Sequence, residues 1–313
     1  MKLIVILFFY FFINNLYCYE FDEEKFLMQY FWREVISLSP AERPKIGLVL
    51  SGGGARGLAH IGVIKVLEEE GIPIDIISGN SVGALIGALY SSGLSVDIIE
   101  KMAQEIGWND LTNISPGSVI GLVLADKLLS TQKMENYISQ KIGNKQFYEL
   151  KIPFGCVATD LITGEKIIFT EGNVSLAARA SACIPGVFLP VEYRHRLLVD
   201  GGCIDNIPND IAKLLGADII ITVVVESDYS KNSLSNVLSV LTQVISIQQK
   251  ILSQQQLKLS DIIITPKLDD VSIYELWKSK KCIEEGIIAT RKLIPEIKKT
   301  IMNKTYQWLL KQK

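Results

Sequence analysis

From Lys45 onward, short apolar runs alternate with stretches in which apolar residues recur at helical spacing. The runs KIGLVL, IDIIS, RLLV, GADIIITVVV and DIIITP predict strands, and FGCVATDL and GEKIIFT predict a hairpin across a short turn. Helices are predicted in LAHIGVIKVLEEEG, SVGALIGALYSSG, SLAARASA and IPNDIAKLLG, and a longer one follows from Leu234 to Ile245. This alternation is typical of an α/β fold with a parallel or mixed sheet between helices.

No repeat or low-complexity linker interrupts this pattern, so we predict one domain over residues 45–300 and a basic C-terminal tail over 301–313. Residues 107–145 have no clear period, which fits either an ordinary helical connection or a cover over a site. The lysines and arginines from Lys278 onward fit a solvated helical face or contact with an anionic membrane surface.

The N-terminal pattern differs from the rest. Lys2 precedes an apolar run from Leu3 to Ile13, and the chain then becomes polar and acidic. A bilayer core of about 30 Å needs about 20 apolar residues, so the run predicts a signal peptide over residues 1–19, with an uncleaved anchor as the alternative. We therefore expect an exported protein, which would be periplasmic, secreted or membrane-associated.

Composition limits the function classes. The 313 residues are 48% hydrophobic and carry a formal net charge of -2, so a large core is expected and nucleic acid is not an expected partner. The five cysteines show no C-x-x-C spacing, and neither a metal site nor a disulfide framework is indicated. A small or membrane-presented substrate fits this composition better.

The first candidate for chemistry is the G-x-S-x-G sequence at Gly79–Gly83. It follows the predicted strand IDIIS and precedes a predicted helix. A sharp strand-to-helix turn of this kind exposes the hydroxyl of a nucleophilic serine, and its glycines avoid a steric clash. The pattern predicts that Ser81 is a nucleophile.

A second glycine-rich segment, LVLSGGGARGLAH, fits two chemistries. Gly52, Gly54 and Gly57 match the dinucleotide motif G-x-G-x-x-G, but the same loop could hold an oxyanion through its backbone amides. A dinucleotide site needs an acidic residue at the end of the second strand, whereas Asp75 stands at the beginning of that strand. The oxyanion interpretation is therefore favoured.

A serine nucleophile needs a base. Of the two histidines, His60 falls on the predicted buried stripe of a helix, and His195 lies between two arginines at a strand start or turn. Ser81, Asp160 and His195 occur in the chain order of an α/β-hydrolase triad, so a triad esterase stays possible. Asp200 is the better candidate because it ends an apolar strand and precedes two glycines.

Three motifs together resemble the patatin-like phospholipases. Ser51–Gly57 is similar to their G-G-G-x-R-G loop, Gly79–Gly83 to their G-x-S-x-G, and Asp200–Gly202 to their D-G-G. RASACIPGVFLPVE and GADIIITVVV are similar to the segments before and after D-G-G in bacterial members. The resemblance extends from about Lys45 to the segment EEGIIATRKLIP.

The resemblance implies a three-layer α/β/α fold with a catalytic dyad of Ser81 and Asp200 and without a histidine. It implies an oxyanion hole formed by the backbone of Gly52, Gly53 and Gly54. Arg56 would lie near the site, where it either braces the loops or contacts phosphate. Lipid or phospholipid esters are the implied substrates, and neither a metal, nor another cofactor, nor a protein partner is implied.

One residue departs from the family pattern. Asn80 stands where bacterial members often have threonine or alanine, and we expect its side chain to face away from the chemistry. The fold would also suit a non-catalytic lipid-binding protein, which is the remaining alternative.

Overall fold

A computed structural model describes residues 23–112, 128–225 and 237–311, and an eight-stranded sheet lies at its centre. The strands are β1 (Ile46–Leu50), β2 (Ile76–Gly79), β3 (Phe154–Asp160), β4 (Lys166–Phe169), β5 (Val191–Tyr193), β6 (Arg196–Asp200), β7 (Ile219–Val223) and β8 (Ile262–Ile264). The α-helices are α1 (Glu23–Ser37), α2 (Ala59–Glu69), α3 (Val82–Ser91), α4 (Val96–Glu105), α5 (Trp108–Leu111), α6 (Gln132–Ile142), α7 (Val174–Ser181), α8 (Asn209–Leu214), α9 (Val237–Gln256) and α10 (Ser279–Lys311).

The sheet is parallel through most of its width. Its order is β5-β6-β3-β2-β1-β7-β8, with β4 paired to β3 outside this sequence. The five strands from β3 to β8 in this order run parallel, whereas β4 and β6 pair antiparallel with β3, and β5 pairs antiparallel with β6. The predicted α/β class with a mainly parallel central sheet is confirmed.

Helices cover both faces of the sheet. Side chains of β1 alternate between two hydrophobic cores, because successive residues of a strand point to opposite faces. Leu48 enters the larger core with residues of α2, α3 and α10, whereas Val49 enters a smaller core with Ala212 of α8. The chain therefore forms three layers, with helices on either side of one sheet.

Helices α1 and α4 and strand β5 were not predicted from the sequence, although the buried residues of α4, Val96, Ile99, Met102 and Ala103, recur at helical spacing. The apolar residues of α1 point in every direction around the helix, and Trp32 is the only buried residue among its described side chains, so the sequence shows no stripe. Strand β5 has only three residues, too few to show a period of two. Of these elements, α1 and β5 were missed because neither presents a regular apolar face.

Several predictions fall outside the described residues. The N-terminal segment 1–19 is one of them, so export stays a prediction, and residues 113–127 of the connection without a clear period are another. The boundary proposed at residue 300 lies within α10, which continues to Lys311 with Ile301 and Thr305 buried. Among the described helices, we find none that combines the length and the apolar character required to cross a membrane.

Helices α2 and α10 cross at unusually close range. A Cβ atom placed on Gly62 of α2 would lie 2.0 Å from the carbonyl oxygen of Ile283, and one on Gly286 of α10 would lie 2.1 Å from that of Ala59. The obstructing atoms belong to the backbone, so a side chain at either position would force the helices apart. Since α2 directly follows the 3₁₀ turn of the glycine-rich loop, the contact with α10 also fixes the position of that loop.

An ion pair fixes the start of the sheet. The Arg43 guanidinium donates two hydrogen bonds to the Asp75 carboxylate, at 2.6 and 2.9 Å, and the amide of Ile46 donates to the same group at 2.8 Å. Both side chains are almost completely buried. Asp75, which stands at the wrong end of β2 for a dinucleotide site, therefore holds β1 and β2 in place.

We predict that Asp75→Ala lowers the free energy of unfolding by about 3–5 kcal/mol, because it leaves the Arg43 charge buried without its carboxylate. Urea denaturation followed by circular dichroism measures this change. Asp97→Ala is the matched control, since Asp97 is largely exposed beside Lys65 and exposed ion pairs contribute little. Equal losses in the two variants would contradict the prediction.

Candidate active site

Ser81 lies on a strained turn between β2 and α3. Its backbone has φ 53° and ψ -125°, in a region that residues other than glycine rarely adopt. A Cβ atom on Gly79 would lie 2.6 Å from the backbone of Gly83, and one on Gly83 would lie 2.2 Å from the carbonyl oxygen of Leu50. Both glycines of the G-x-S-x-G sequence are therefore required by this turn.

Asp200 reaches the same place from another strand. β6 runs antiparallel to β3, and the register puts Asp200 opposite Ala158, while Gly79 at the end of β2 lies opposite Cys156. Ser81 lies two residues beyond Gly79, so it is at the same level as Asp200 on the other side of β3. The Asp200 carboxylate accepts hydrogen bonds from the amide of Gly202 at 2.8 Å and from the Ser81 hydroxyl.

Burial makes Asp200 an unusual acid. Removal from water raises the pKa of its carboxyl from an ordinary value near 3.8 to about 6. Hydrogen bonds from the Ser81 hydroxyl, the Gly202 amide and the Asn80 side chain oppose this rise, because they stabilise the charged form. The carboxylate is therefore a stronger base than an exposed aspartate and is still ionised at neutral pH.

The expectation that Asn80 faces away from the chemistry is wrong. Its side chain is fully buried, and its amide nitrogen donates to the Asp200 carboxylate at 3.3 Å and to Asn206 Oδ1 at 3.1 Å. The Ser181 hydroxyl donates to Asn80 Oδ1 at 3.4 Å and accepts from the Ser81 amide at 3.0 Å. Sequence spacing gave no signal for this network, since its members come from three separate segments.

The glycine-rich loop lies between β1 and a 3₁₀ turn over Gly54–Leu58. The amide of Gly52 donates to the Asn206 carbonyl at 3.2 Å, and the amide of Ala55 donates to the Ile273 carbonyl at 2.8 Å. Within the described part of the chain, no hydrogen bond engages the amides of Gly53 and Gly54. Gly52 thus fastens the loop, and the next two amides are available to a ligand.

A cavity of about 70 Å³ joins these groups. Ser81, Asp200 and Arg56 line it together with Gly52, Gly53, Gly54, Ile184, Pro185, Cys203, Asn206, Thr242, Ile245, Ser246, Gln249 and Ile273. Four of these residues belong to α9, which forms one wall. The sequence indicated a possible cover in residues 107–145, but among the described residues it is α9 that contributes a helix to this cavity.

Arg56 is buried in the cavity wall. Its charge also acts on Cys282 of α10, where burial raises the pKa of the thiol to about 11 and the charges of Lys281 and Arg56 partly oppose that rise. The guanidinium therefore lies within electrostatic reach of both the cavity and α10. This position is compatible with either of its expected roles, bracing the loops or meeting a phosphate.

The structure does not bring either histidine to Ser81. His60 is fully buried, its Nε2 lies 2.9 Å from the Ser51 carbonyl, and burial lowers the pKa of the imidazole to about 4. His195 is exposed on the turn that precedes β6, whereas Asp200 lies at the opposite end of that five-residue strand. Asp160 is hydrogen-bonded to Arg196 at 2.7 Å, and neither Asp160 nor His195 lines the cavity.

The four described cysteines are free thiols, and Cys203 alone among them lines the cavity. Within residues 23–112, 128–225 and 237–311, no cluster of three histidine, cysteine or acidic side chains is suited to hold a metal ion.

Sequence comparison identifies relatives over the part of the chain that contains this site. A family model described as "Patatin-like phospholipase" matches residues 48–213, which is just over half of the chain. An NTE family protein of Mycobacterium tuberculosis is 35% identical over 60% of this chain and 50% of its own length. Human patatin-like phospholipase domain-containing protein 6 is 35% identical over 58% of this chain and 13% of its own length. A lysophospholipase of Aspergillus fumigatus is 37% identical over 58% of this chain and 12% of its own length.

Solved structures share the fold at low sequence identity. VipD from Legionella pneumophila superimposes with a TM-score of 0.53 at 14% identity, covering 82% of this chain and 67% of that protein. Human GIVD cytosolic phospholipase A2 in complex with a fluorophosphonate inhibitor gives 0.52 at 11% identity, covering 91% of this chain and 65% of that protein. This chain spans half or less of the sequence relatives described above. The match over the glycine-rich loop, Ser81 and Asp200 shows that the chain belongs to the patatin-like phospholipase family.

Proposed function

We propose that this protein hydrolyses carboxylic esters of lipids, with Ser81 as nucleophile and Asp200 as general base. The observation that carries the proposal is the position of the Ser81 hydroxyl, on a strained turn and hydrogen-bonded to a buried carboxylate in one cavity. Membership in the patatin-like phospholipase family supports a phospholipid substrate, and the name of the Aspergillus fumigatus relative, a lysophospholipase, favours lysophospholipids.

In the first half of the proposed reaction, the Ser81 oxygen attacks the ester carbonyl carbon as its proton passes to Asp200. The tetrahedral intermediate then collapses, and the bond to the alcohol oxygen breaks. Asp200 returns the proton to that oxygen, so the alcohol leaves neutral and the acyl group stays on Ser81.

In the second half, a water molecule attacks the acyl-serine ester and gives its proton to Asp200. Collapse of the new intermediate releases the fatty acid, and the proton returns to the Ser81 oxygen. One base serves both halves, which is why the pKa of about 6 matters: the group must accept and return a proton near neutral pH.

The oxyanion hole is proposed at the amides of Gly53 and Gly54. Gly52 was expected to share this role, but its amide already donates to Asn206, so we assign it to fixing the loop. A Cβ atom on Gly53 would lie 2.6 Å from Val225, which shows how closely the loop packs against the end of the sheet. Loss of one oxyanion donor costs about 3–4 kcal/mol in transition-state stabilisation.

Asn80 is proposed as a positioning residue. It donates to Asp200 and Asn206, so it links the base to the segment that also fixes Gly52. Its hydrogen bond stabilises the ionised carboxylate without contact to the reacting ester.

We predict that Ser81→Ala lowers kcat by about 10⁴-fold or more and that Asp200→Ala lowers it by about 10²–10⁴-fold. Release of fatty acid from a panel of phospholipids and lysophospholipids measures both. A fluorophosphonate probe should label the unsubstituted protein and leave Ser81→Ala unlabelled.

The matched control for these substitutions is His195→Ala, because His195 is exposed and does not line the cavity. It should retain full activity. Loss of activity in His195→Ala with activity kept in Asp200→Ala would instead support the triad esterase. A probe that does not label Ser81, together with no hydrolysis of any lipid, would support a non-catalytic lipid-binding protein.

We also predict the pH dependence of kcat/KM. Asp200 accepts a proton only when it is ionised, so activity should be full above its pKa and should fall as the pH decreases, with a midpoint near 6. A soluble short-chain ester measures the profile, and circular dichroism over the same pH range checks that the fold persists. A profile with its midpoint near 4 would indicate that burial does not shift the carboxyl.

Asn80→Ala should move that midpoint to higher pH, since it removes a hydrogen bond that favours the ionised carboxylate. It should also lower kcat through looser positioning of Asp200. Ser78→Ala is a control, because Ser78 is equally buried two residues earlier, on β2, but bonds the Pro208 carbonyl instead. An unchanged midpoint in Asn80→Ala would limit Asn80 to a structural role.

A further inference from the structure

The amphipathic character of α9 is reversed. Four of its polar residues face the protein, where Thr242, Ser246 and Gln249 line the cavity beside Ile245 and Ser253 is buried. The opposite face carries aliphatic residues that are each between 45% and 63% exposed, namely Val240, Leu241, Val244, Ile247 and Ile251. A helix on a globular protein normally turns its apolar stripe inward.

Polar contacts attach α9 to the rest of the molecule. Gln248 Nε2 donates to the Cys203 carbonyl at 2.6 Å, and Asn209 Nδ2 donates to the Gln256 carbonyl at 2.8 Å. Among the described residues, neither hydrophobic core includes a member of α9. The aliphatic face of α9 is therefore not part of a described hydrophobic core. Its exposure to water has an energetic cost.

The composition of this face favours hydrocarbon over another protein. It consists of valine, leucine and isoleucine, whereas protein interfaces are enriched in aromatic residues, methionine and arginine. The whole helix contains no acidic residue, and Lys250 is its only charged one, so nothing in it repels an anionic lipid headgroup. Aliphatic side chains gain free energy from a bilayer through area alone, without directional partners.

The position of the aliphatic face of α9 also favours a lipid bilayer as its partner. The same helix forms a wall of the cavity that holds Ser81, so a surface in contact with its outer side would lie one helix diameter from the proposed nucleophile. We propose that α9 docks this protein onto lipid bilayers, with its aliphatic face inserted at the interface and its polar face left on the catalytic cavity. This inference rests on the proposed lipid substrate and adds the element that meets it.

The test uses the full-length chain with Ser81→Ala, so that vesicles are bound but not consumed. Binding to vesicles of phosphatidylcholine, and of phosphatidylcholine mixed with phosphatidylglycerol, is measured by sedimentation. Adding Val244→Ser, Ile247→Ser and Ile251→Ser should lower the partition coefficient at least tenfold, equivalent to about 1.4 kcal/mol. Circular dichroism and thermal unfolding confirm that the variant is folded.

The matched control replaces three aliphatic residues of similar exposure on other helices, Ile98→Ser, Leu214→Ser and Ile288→Ser. It should bind vesicles as the Ser81→Ala protein does. Equal binding by the α9 variant and this control would overturn the proposal. So would a change of oligomeric state on substitution in α9, measured by sedimentation velocity without vesicles, because the face would then belong to a second copy.

A second measurement tests docking through α9 even if another segment also anchors the chain to the bilayer. Ile247→Trp in the Ser81→Ala background should add fluorescence that brominated lipids quench, whereas Ile288→Trp should add fluorescence that they do not. Equal quenching of the two would contradict docking through α9. Vesicle binding needs no turnover, so docking without any hydrolysis would refute only the proposed function, and hydrolysis without docking through α9 would refute only this inference.

Discussion

The turn after β2 approaches the end of β1 so closely that several positions admit only glycine, and the geometry of Ser81 depends on this contact. A Cβ atom on Gly57 would lie 2.0 Å from Val82, and the amide of Asn80 donates to the Leu50 carbonyl at 3.0 Å. A positive φ at a serine is costly and persists only where its surroundings leave no alternative. Here the backbone of β1 leaves no room for another conformation, so packing against the sheet maintains the positive φ of Ser81.

The same close packing creates the environment of the acid. Because Asp200 is almost completely buried, water solvates its carboxylate poorly, and hydrogen bonds from the protein replace only part of the lost solvation. Burial of the ionised Asp200 therefore lowers the free energy of unfolding, and the hydrogen bonds that connect Asp200, Asn80 and Asn206 limit this loss. The strained backbone of Ser81 and the raised pKa of Asp200 both result from this close packing.

Much of this arrangement could be predicted from the sequence, because it depends on local patterns. Apolar runs gave the positions of β1, β2 and β7, and the glycines of the G-x-S-x-G sequence gave the turn at Ser81. Asp200 was chosen for ending a strand, although β6 proves to run antiparallel to β2, and the two residues meet because of the pairing register with β3. The side chain of Asn80 and the wall formed by α9 could not be predicted, since both depend on segments far apart in the sequence.

The position of α9 in the chain has a consequence for how the cavity of this protein could vary. The family model ends at residue 213, after the glycine-rich loop, Ser81 and Asp200, but before α9 and Ile273, which complete the cavity. The part of the cavity wall formed by α9 and Ile273 is thus encoded in a later stretch of sequence than Ser81 and Asp200. Substitutions in the later stretch alone could therefore change which molecules the cavity admits, while the contacts between Ser81, Asn80 and Asp200 stay as they are.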